Sequence, residues 1–196
     1  MSILKSVKAG KYSKYTLFPT SKEELSEMII NEILNNGVMC SLNHIDVSKI
    51  TDMSELFRGA YRGYGLENFI GDISEWDVSN VVNMRKMFRF SCFNGDLSQW
   101  DVSRVEDMSG LFQNSLFDND SICNWNVTGV TDMSLMFYNT KFNHALSNWD
   151  ISNVKTLKEM FAYSEFNQDI SNWKIDPNCD TFGMFYRNYK KINNNS

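Results

Sequence analysis

Long apolar runs are missing from this sequence. Nothing in it approaches the ~18–20 consecutive apolar residues that cross a bilayer as a helix. The opening MSILKSVKAGKYSKY is positively charged, but no apolar core and no small-residue cleavage site follow it. No secretory route is legible, and the location expected on that ground is cytoplasmic. Positive charge is in deficit overall: a net charge of −5 and a pI near 5.1 argue against a general nucleic-acid binder and against docking on an anionic membrane.

Chemistry is scarce as well. The sequence holds no GxGxxG, no phosphate-binding loop and no HExxH. Of its 2 histidines, His44 and His144, neither has a Cys or carboxylate at ligand or triad spacing, so both read as solvated turn residues. Asp118-Asn119-Asp120 has the oxygen density of a weak calcium loop but lacks the remaining ligands. The 4 cysteines, Cys40, Cys92, Cys123 and Cys179, form no CxxC and fall at different phases of the pattern described next. Free thiols in a reducing compartment, with no zinc site, are the simpler expectation. No cofactor, metal or catalytic residue is expected.

What the chain does have is a period. All 5 tryptophans, Trp76, Trp100, Trp125, Trp149 and Trp173, recur at 24, 25, 24 and 24 residues. Twelve residues after each stands a Phe (Phe88, Phe112, Phe137, Phe161 and Phe185), and Ile45 with Phe57 gives an earlier unit. Valine or isoleucine falls two after each Trp position, Met or Leu eight after all but the last (where Thr181 stands), and Met or Leu eleven after it. Met84, Met108 and Met133 share these columns with Leu and Phe, which marks them as core filling rather than as a binding stripe. Self-similarity at this period is the signature of a repeat array. The fold class expected is therefore an α/β solenoid: a leucine-rich-repeat-like, right-handed array of about six ~24-residue coils, each a short parallel strand, a turn and a short helix.

Within a coil, Asp72-Ile73-Ser74 and its equivalents read as the strand. Asp77, Asp101 and Asp150 read as turn-formers that bond N–H groups two or three residues on. Asp52, Asn83, Asp107 and Asp132 read as N-caps of the short helix. Ahead of the coils, Ser21 and Glu24 make a capping box, Leu25, Met28, Ile29 and Ile33 follow at helical spacing, and Gly37 can end the helix. That predicts a helix over 21–35 that caps the first coil. The domain plan is a flexible basic tail over 1–16, a helical cap over 17–40 and the repeat array over 41–187. Its degenerate last coil (169–187) acts as a C-terminal cap, and a polar tail follows over 188–196.

One unit is longer than the rest, with an insertion around RGAYRGYGLENF. Arg58, Tyr61, Arg62 and Tyr64 form an aromatic-basic cluster there, either a contact site or a loop packing its own tyrosines. The residues just before each Trp are Glu75, Gln99, Asn124, Asn148 and Asn172. Stacking would align them into one polar row, as a binding face or as Asn ladders bonded to each other.

The segments SNWDISNV (147–154) and FNQDISNW (166–173), with LFPTSKEEL (17–25) and HIDVSKITDMSELF (44–57), resemble the BspA-like leucine-rich-type repeat proteins, the Mycoplasma-lipoprotein repeat family of unknown function. The resemblance covers residues 17–187. It implies a right-handed solenoid, relatives at the cell surface with roles in adhesion or host contact, and no catalytic residues. Signal peptide, lipid-attachment Cys and wall anchor, which would support display at the surface, are not found here.

The function expected from all this is non-enzymatic: a monomeric protein-interaction module that offers a rigid face and the 58–70 loop to a protein partner, without direct nucleic-acid binding or membrane insertion. The alternative is an acidic inhibitor that occupies a nucleic-acid site, and behind it an enzyme of unknown type.

Overall fold

The computed structural model describes residues 14–59 and 65–188. It opens with one α-helix, α1 (Lys22–Asn36). Ser21 accepts the Glu24 N–H at 3.2 Å, and Glu24 reaches back to the Thr20 N–H at 2.8 Å. Gly37, at φ 84°, closes the far end by donating to Ile33 O. Leu25, Ile29 and Ile33 are buried against the core cluster that runs on into the repeats.

From there the chain winds in stacked coils, and their interior is aromatic. Phe57, Phe88, Phe112, Phe137, Phe161 and Phe185 stack in one file with ring centroids 5.4–5.8 Å apart. Phe69, Phe93, Phe117, Phe142 and Phe166 pack against that file from the same coils, at 4.0–4.9 Å. Trp76, Trp100 and Trp125 stack at 6.4 and 6.5 Å. Every indole Nε1–H donates to a carbonyl of the preceding coil: Trp76 to Leu42, Trp100 to Ile73, Trp125 to Leu97, Trp149 to Ile122 and Trp173 to Leu146. An indole is thus a large apolar filler with one fixed polar tie. The methionine columns are buried with them, as core.

The expected α/β solenoid with leucine-rich-repeat-like coils is overturned. Among the described residues the repeats contain neither a strand nor an α-helix, and parallel pairing is reduced to isolated bridges such as Asp52↔Asn83 and Asn83↔Asp107. The strand fails because its backbone groups are spent locally. Ser74 N–H bonds Asp72 Oδ1, and Ile73 O accepts both the Trp76 N–H and the Trp100 indole, so pairing here stops at the single bridge Ser41↔Asp72.

The helix fails for a related reason. Over Met84–Ser91 alternate N–H groups point two ways. Those of Met84, Lys86, Phe88 and Phe90 donate to the carbonyls of Asp107, Ser109, Leu111 and Gln113 in the next coil. Those of Met87, Arg89 and Ser91 close tight turns onto the residue three back. This row of overlapping turns requires a left-handed residue ten after each Trp position, namely Glu55, Lys86, Gly110, Leu135, Glu159 and Gly183 at φ 53–64°. A second one falls four residues later, at Phe90, Asn114, Asn139, Tyr163 and Arg187. A left-handed helix site costs a residue with a Cβ roughly 1–2 kcal/mol, and the bonds between coils offset it.

Glycine relieves that cost at Gly110 and Gly183, which yields a test. Leu135→Gly is expected to leave stability unchanged or raise it by up to about 1 kcal/mol. Gly110→Ala is expected to lower it, because the new Cβ meets Lys86 Cγ at 3.1 Å in an unfavourable φ. Were this segment helical, the two signs would reverse; urea midpoints of the pair decide.

Candidate functional site

Each coil turns its corners on short polar side chains that accept the N–H two residues on. Asp46, Asp77, Asp101, Asn126, Asp150 and Asp176 do so after the Trp position. The residues expected as N-caps do the same at the next corner: Asp52, Asn83, Asp107 and Asp132 accept from Ser54, Arg85, Ser109 and Ser134. They are corner-formers with no helix to cap.

The Ser103 hydroxyl and N–H hold the Asp101 carboxyl below its usual range, and the Ser152 N–H and hydroxyl do the same for Asp150. Both folded values are depressed, so the stability they contribute is complete above the ordinary Asp pKa and is lost as pH falls through the folded values. The Asp101→Asn/Asp150→Asn double variant keeps the corner acceptors, as Asn126 does naturally toward Thr128. Its melting temperature is expected to fall less than that of the parent between about pH 5 and about pH 2. Parallel curves would remove these carboxylates from the acid response.

The polar row lies where its register predicts. Glu75, Gln99, Asn124, Asn148 and Asn172 are all exposed. Asn148 Nδ2 donates to Asn124 Oδ1 at 2.9 Å, a ladder rung, whereas Asn172 Nδ2 turns to Ser147 O at 2.6 Å. Glu75 pairs with Lys14 Nζ at 3.1 Å, and its N–H donates to Asn43 Oδ1 at 3.1 Å. A shallow depression of 240 Å³ opens along the row, lined by Asn148, Asp150, Asn172 and Lys174. The row is thus partly self-satisfied, with Gln99 Nε2 also donating to Ser98 Oγ at 3.3 Å.

Arg58 belongs to a different face, thirteen residues after its coil's Ile45. It donates to Glu55 Oε2 at 2.7 Å, and Arg85 reaches the other oxygen of the same carboxylate at 3.4 Å. Lys86 and Arg89 complete the group. Burial, then the Arg85 and Arg89 charges, push the Lys86 ammonium below its usual range. Arg89 also lies over the ring of Phe90, 4.7 Å from its centroid, and that ring is 38% exposed. Glu55 is shared between Arg58 and Arg85, and is held low by Arg58 and Arg85 against the opposing effect of burial. Tyr61, Arg62 and Tyr64 lie outside the described residues. The described residues on either side of them are tied beside this cluster: Gly59 N–H bonds Arg89 O and Cys92 N–H bonds Glu67 O.

Sequence reasoning missed Arg85, Lys86 and Arg89 because the net charge hid them. The signal was present in the second coil, which places three cations at columns that hold Ser109, Gly110 and Gln113 in the third. It also missed carboxylates brought to the histidines by other parts of the chain: His144 Nε2 lies 3.0 Å from Asp118 Oδ1, and His44 Nε2 lies 3.6 Å from Glu32. Among the described residues no group of three His, Cys, Asp or Glu is placed to hold a metal. No helix among them is long and apolar enough to cross a membrane.

A family model described as "Mycoplasma protein of unknown function, DUF285" matches the chain over residues 23–138 and again over 115–196. No curated protein and no solved structure matches it.

Proposed function

The chain belongs to this Mycoplasma family of unknown function, and on that premise we propose that it is a non-enzymatic protein-binding module whose main contact is cationic. The supporting observation is the group Arg58, Arg85, Lys86 and Arg89 around the carboxylate of Glu55, on a chain whose net charge is −5. A locally positive patch on an acidic protein steers a partner to one orientation, because the rest of the surface repels it. Arg with an adjoining exposed aromatic ring, here Phe90, is the composition of contact hot spots. The partner is an acidic protein segment, and the row from Glu75 to Asn172 is a second, polar contact face.

We further propose kinship with the BspA-like repeat proteins, through the SNWDISNV and FNQDISNW motifs and not through a strand–helix coil. Adhesion and host contact in those relatives lean the partner toward a protein at a cell surface. The protein acts as a monomer and makes no direct contact with nucleic acid or lipid.

The Arg85→Glu/Lys86→Glu variant tests this reading. Glutamate is tolerated at the position of Lys86, since Glu55 and Glu159 occupy the same left-handed column. Capture of protein partners from the native host, identified by mass spectrometry, is expected to fall at least about tenfold with the melting temperature unchanged. Binding by the parent is expected to weaken as salt rises. Equal capture by variant and parent would sink the proposal.

A further inference from the structure

Gly110 leaves an opening in the cationic face. Lys86 and Gly110 hold the same column of successive coils, which are joined by the Lys86 N–H to the Ser109 carbonyl at 2.9 Å. A Cβ on Gly110 would stand 3.1 Å from Lys86 Cγ and 3.3 Å from Gln113 Oε1. The Lys86 stem and the Gln113 amide therefore flank one recess, and Gly110 is its floor. Gln113 is 8% exposed, yet its Oε1 has no hydrogen-bond partner among the described residues. A covered amide left in that state is costly, and a ligand that completes its bonding relieves the cost.

The charge beside the recess is also unmet. Glu55 gives one carboxylate oxygen to Arg58 and the other to Arg85, and among the described residues no ion pair reaches the Lys86 ammonium. Glu67 adjoins Gly59, two coils away from Gly110. Burial, then the Arg85 and Arg89 charges, hold the Lys86 ammonium below its usual range, as expected where positive charge is in local excess.

We propose that this recess is a phosphoryl-binding site, in which the Lys86 ammonium and the Gln113 amide contact the oxygens while the Arg85 and Arg89 guanidinium groups balance the second charge. The inference rests on the reading of this cluster as the main contact, and names the group that the cluster takes. Two points select a phosphoryl group over a carboxylate. Glu55 already brings a carboxylate to the cluster and leaves Lys86 without a counter-ion. An ionised carboxylate also has no proton to offer Gln113 Oε1, whereas a phosphomonoester, with a second pKa of about 6, keeps one part of the time at neutral pH. When that proton leaves, a half turn of the Gln113 amide presents Nε2 and donates to the dianion.

The test uses the full chain with inorganic phosphate, O-phospho-L-serine, glucose 6-phosphate and L-glutamate as probes, titrated at constant ionic strength. Inorganic phosphate is expected to shift the NMR signals of the Gln113 side-chain amide and the Gly110 N–H, and to raise the Lys86 pKa toward its ordinary range. O-Phosphoserine is expected to bind at least about tenfold tighter than glutamate. Lys86→Leu is tolerated by the backbone, since Leu135 occupies the same left-handed column. It is expected to weaken phosphate at least about tenfold, and Gln113→Met at least about threefold, with melting temperatures unchanged. Glutamate binding as tightly as phosphoserine would make the face a general anion patch and overturn the proposal. So would phosphate-induced shifts confined to other residues, or undiminished binding by the two variants. Tighter binding of O-phosphoserine than of glucose 6-phosphate would point to a modified side chain as the source, and the reverse order to a phosphorylated small molecule; either order upholds the site. Host capture that falls in Arg85→Glu/Lys86→Glu while the parent ignores phosphate would overturn this inference and leave the cationic contact standing. Phosphate binding with equal host capture by variant and parent would do the opposite.

Discussion

Phe137→Ala is expected to cost about 3–5 kcal/mol, the usual range for emptying a fully buried aromatic site. Phe137 has no exposed surface and touches rings on every side: Phe112 at 5.8 Å, Phe161 at 5.7 Å, Phe142 at 4.4 Å and Trp149 at 6.3 Å. Its removal hollows the interface between two neighbouring coils at mid-stack. In an array held by nearest-neighbour contacts, a break at the middle also uncouples the halves. The denaturant transition is therefore expected at a much lower midpoint and broadened, or split in two. Phe182→Ala is the control: that ring is exposed, and the expected change is within about 0.5 kcal/mol. Similar small costs for both residues would show that the aromatic file carries little of the stability.

Gly71→Ala is the second large effect, expected at about 1–3 kcal/mol toward the upper end. A Cβ there runs into the Cys40 carbonyl oxygen and comes within 2.7 Å of Phe69 Cε2. Neither can retreat. The Cys40 carbonyl accepts the Asp72 N–H, and Phe69 is fully buried between Phe57 and Phe93. The same column carries His144 and Gln168 in later coils, so the repeat as such accepts a side chain at this point. What forbids one at Gly71 is the segment Val38–Cys40, which runs alongside only here and bonds Ile70 and Asp72. A melting temperature unchanged by the substitution would place that segment elsewhere.

The columns that a 24-residue period picks out are the ones that pack. The Trp, Phe and Met positions were legible because burial of large apolar groups repeats with the coil, and α1 was legible from Ser21, Glu24 and Gly37. The conformation between those columns was misread. Asp-Met-Ser-x-(Leu/Met)-Phe has the composition of a capped helix start, yet Gly110, Gly183, Asn114 and Asn139 already marked left-handed positions at a fixed phase. Local propensity lost to bonds between coils that only the stacked state contains. The polar row was legible as a register but not in its energetics, since one rung pairs Asn124 with Asn148 while Asn172 turns to the backbone. Arg85, Lys86 and Arg89 escaped because a charge summed over the chain says nothing about which charges share a face.

The four thiols are spread along the winding, and all are partly covered: Cys40 beneath the start, Cys92 and Cys123 in successive middle units, Cys179 in the closing one. Burial pushes Cys40, Cys123 and Cys179 above the ordinary thiol range, which makes them slow nucleophiles while the fold is intact. Alkylation rates at the individual cysteines would therefore time the breathing of each section separately. The natural chain carries its own position-resolved clock of local opening, with no label introduced.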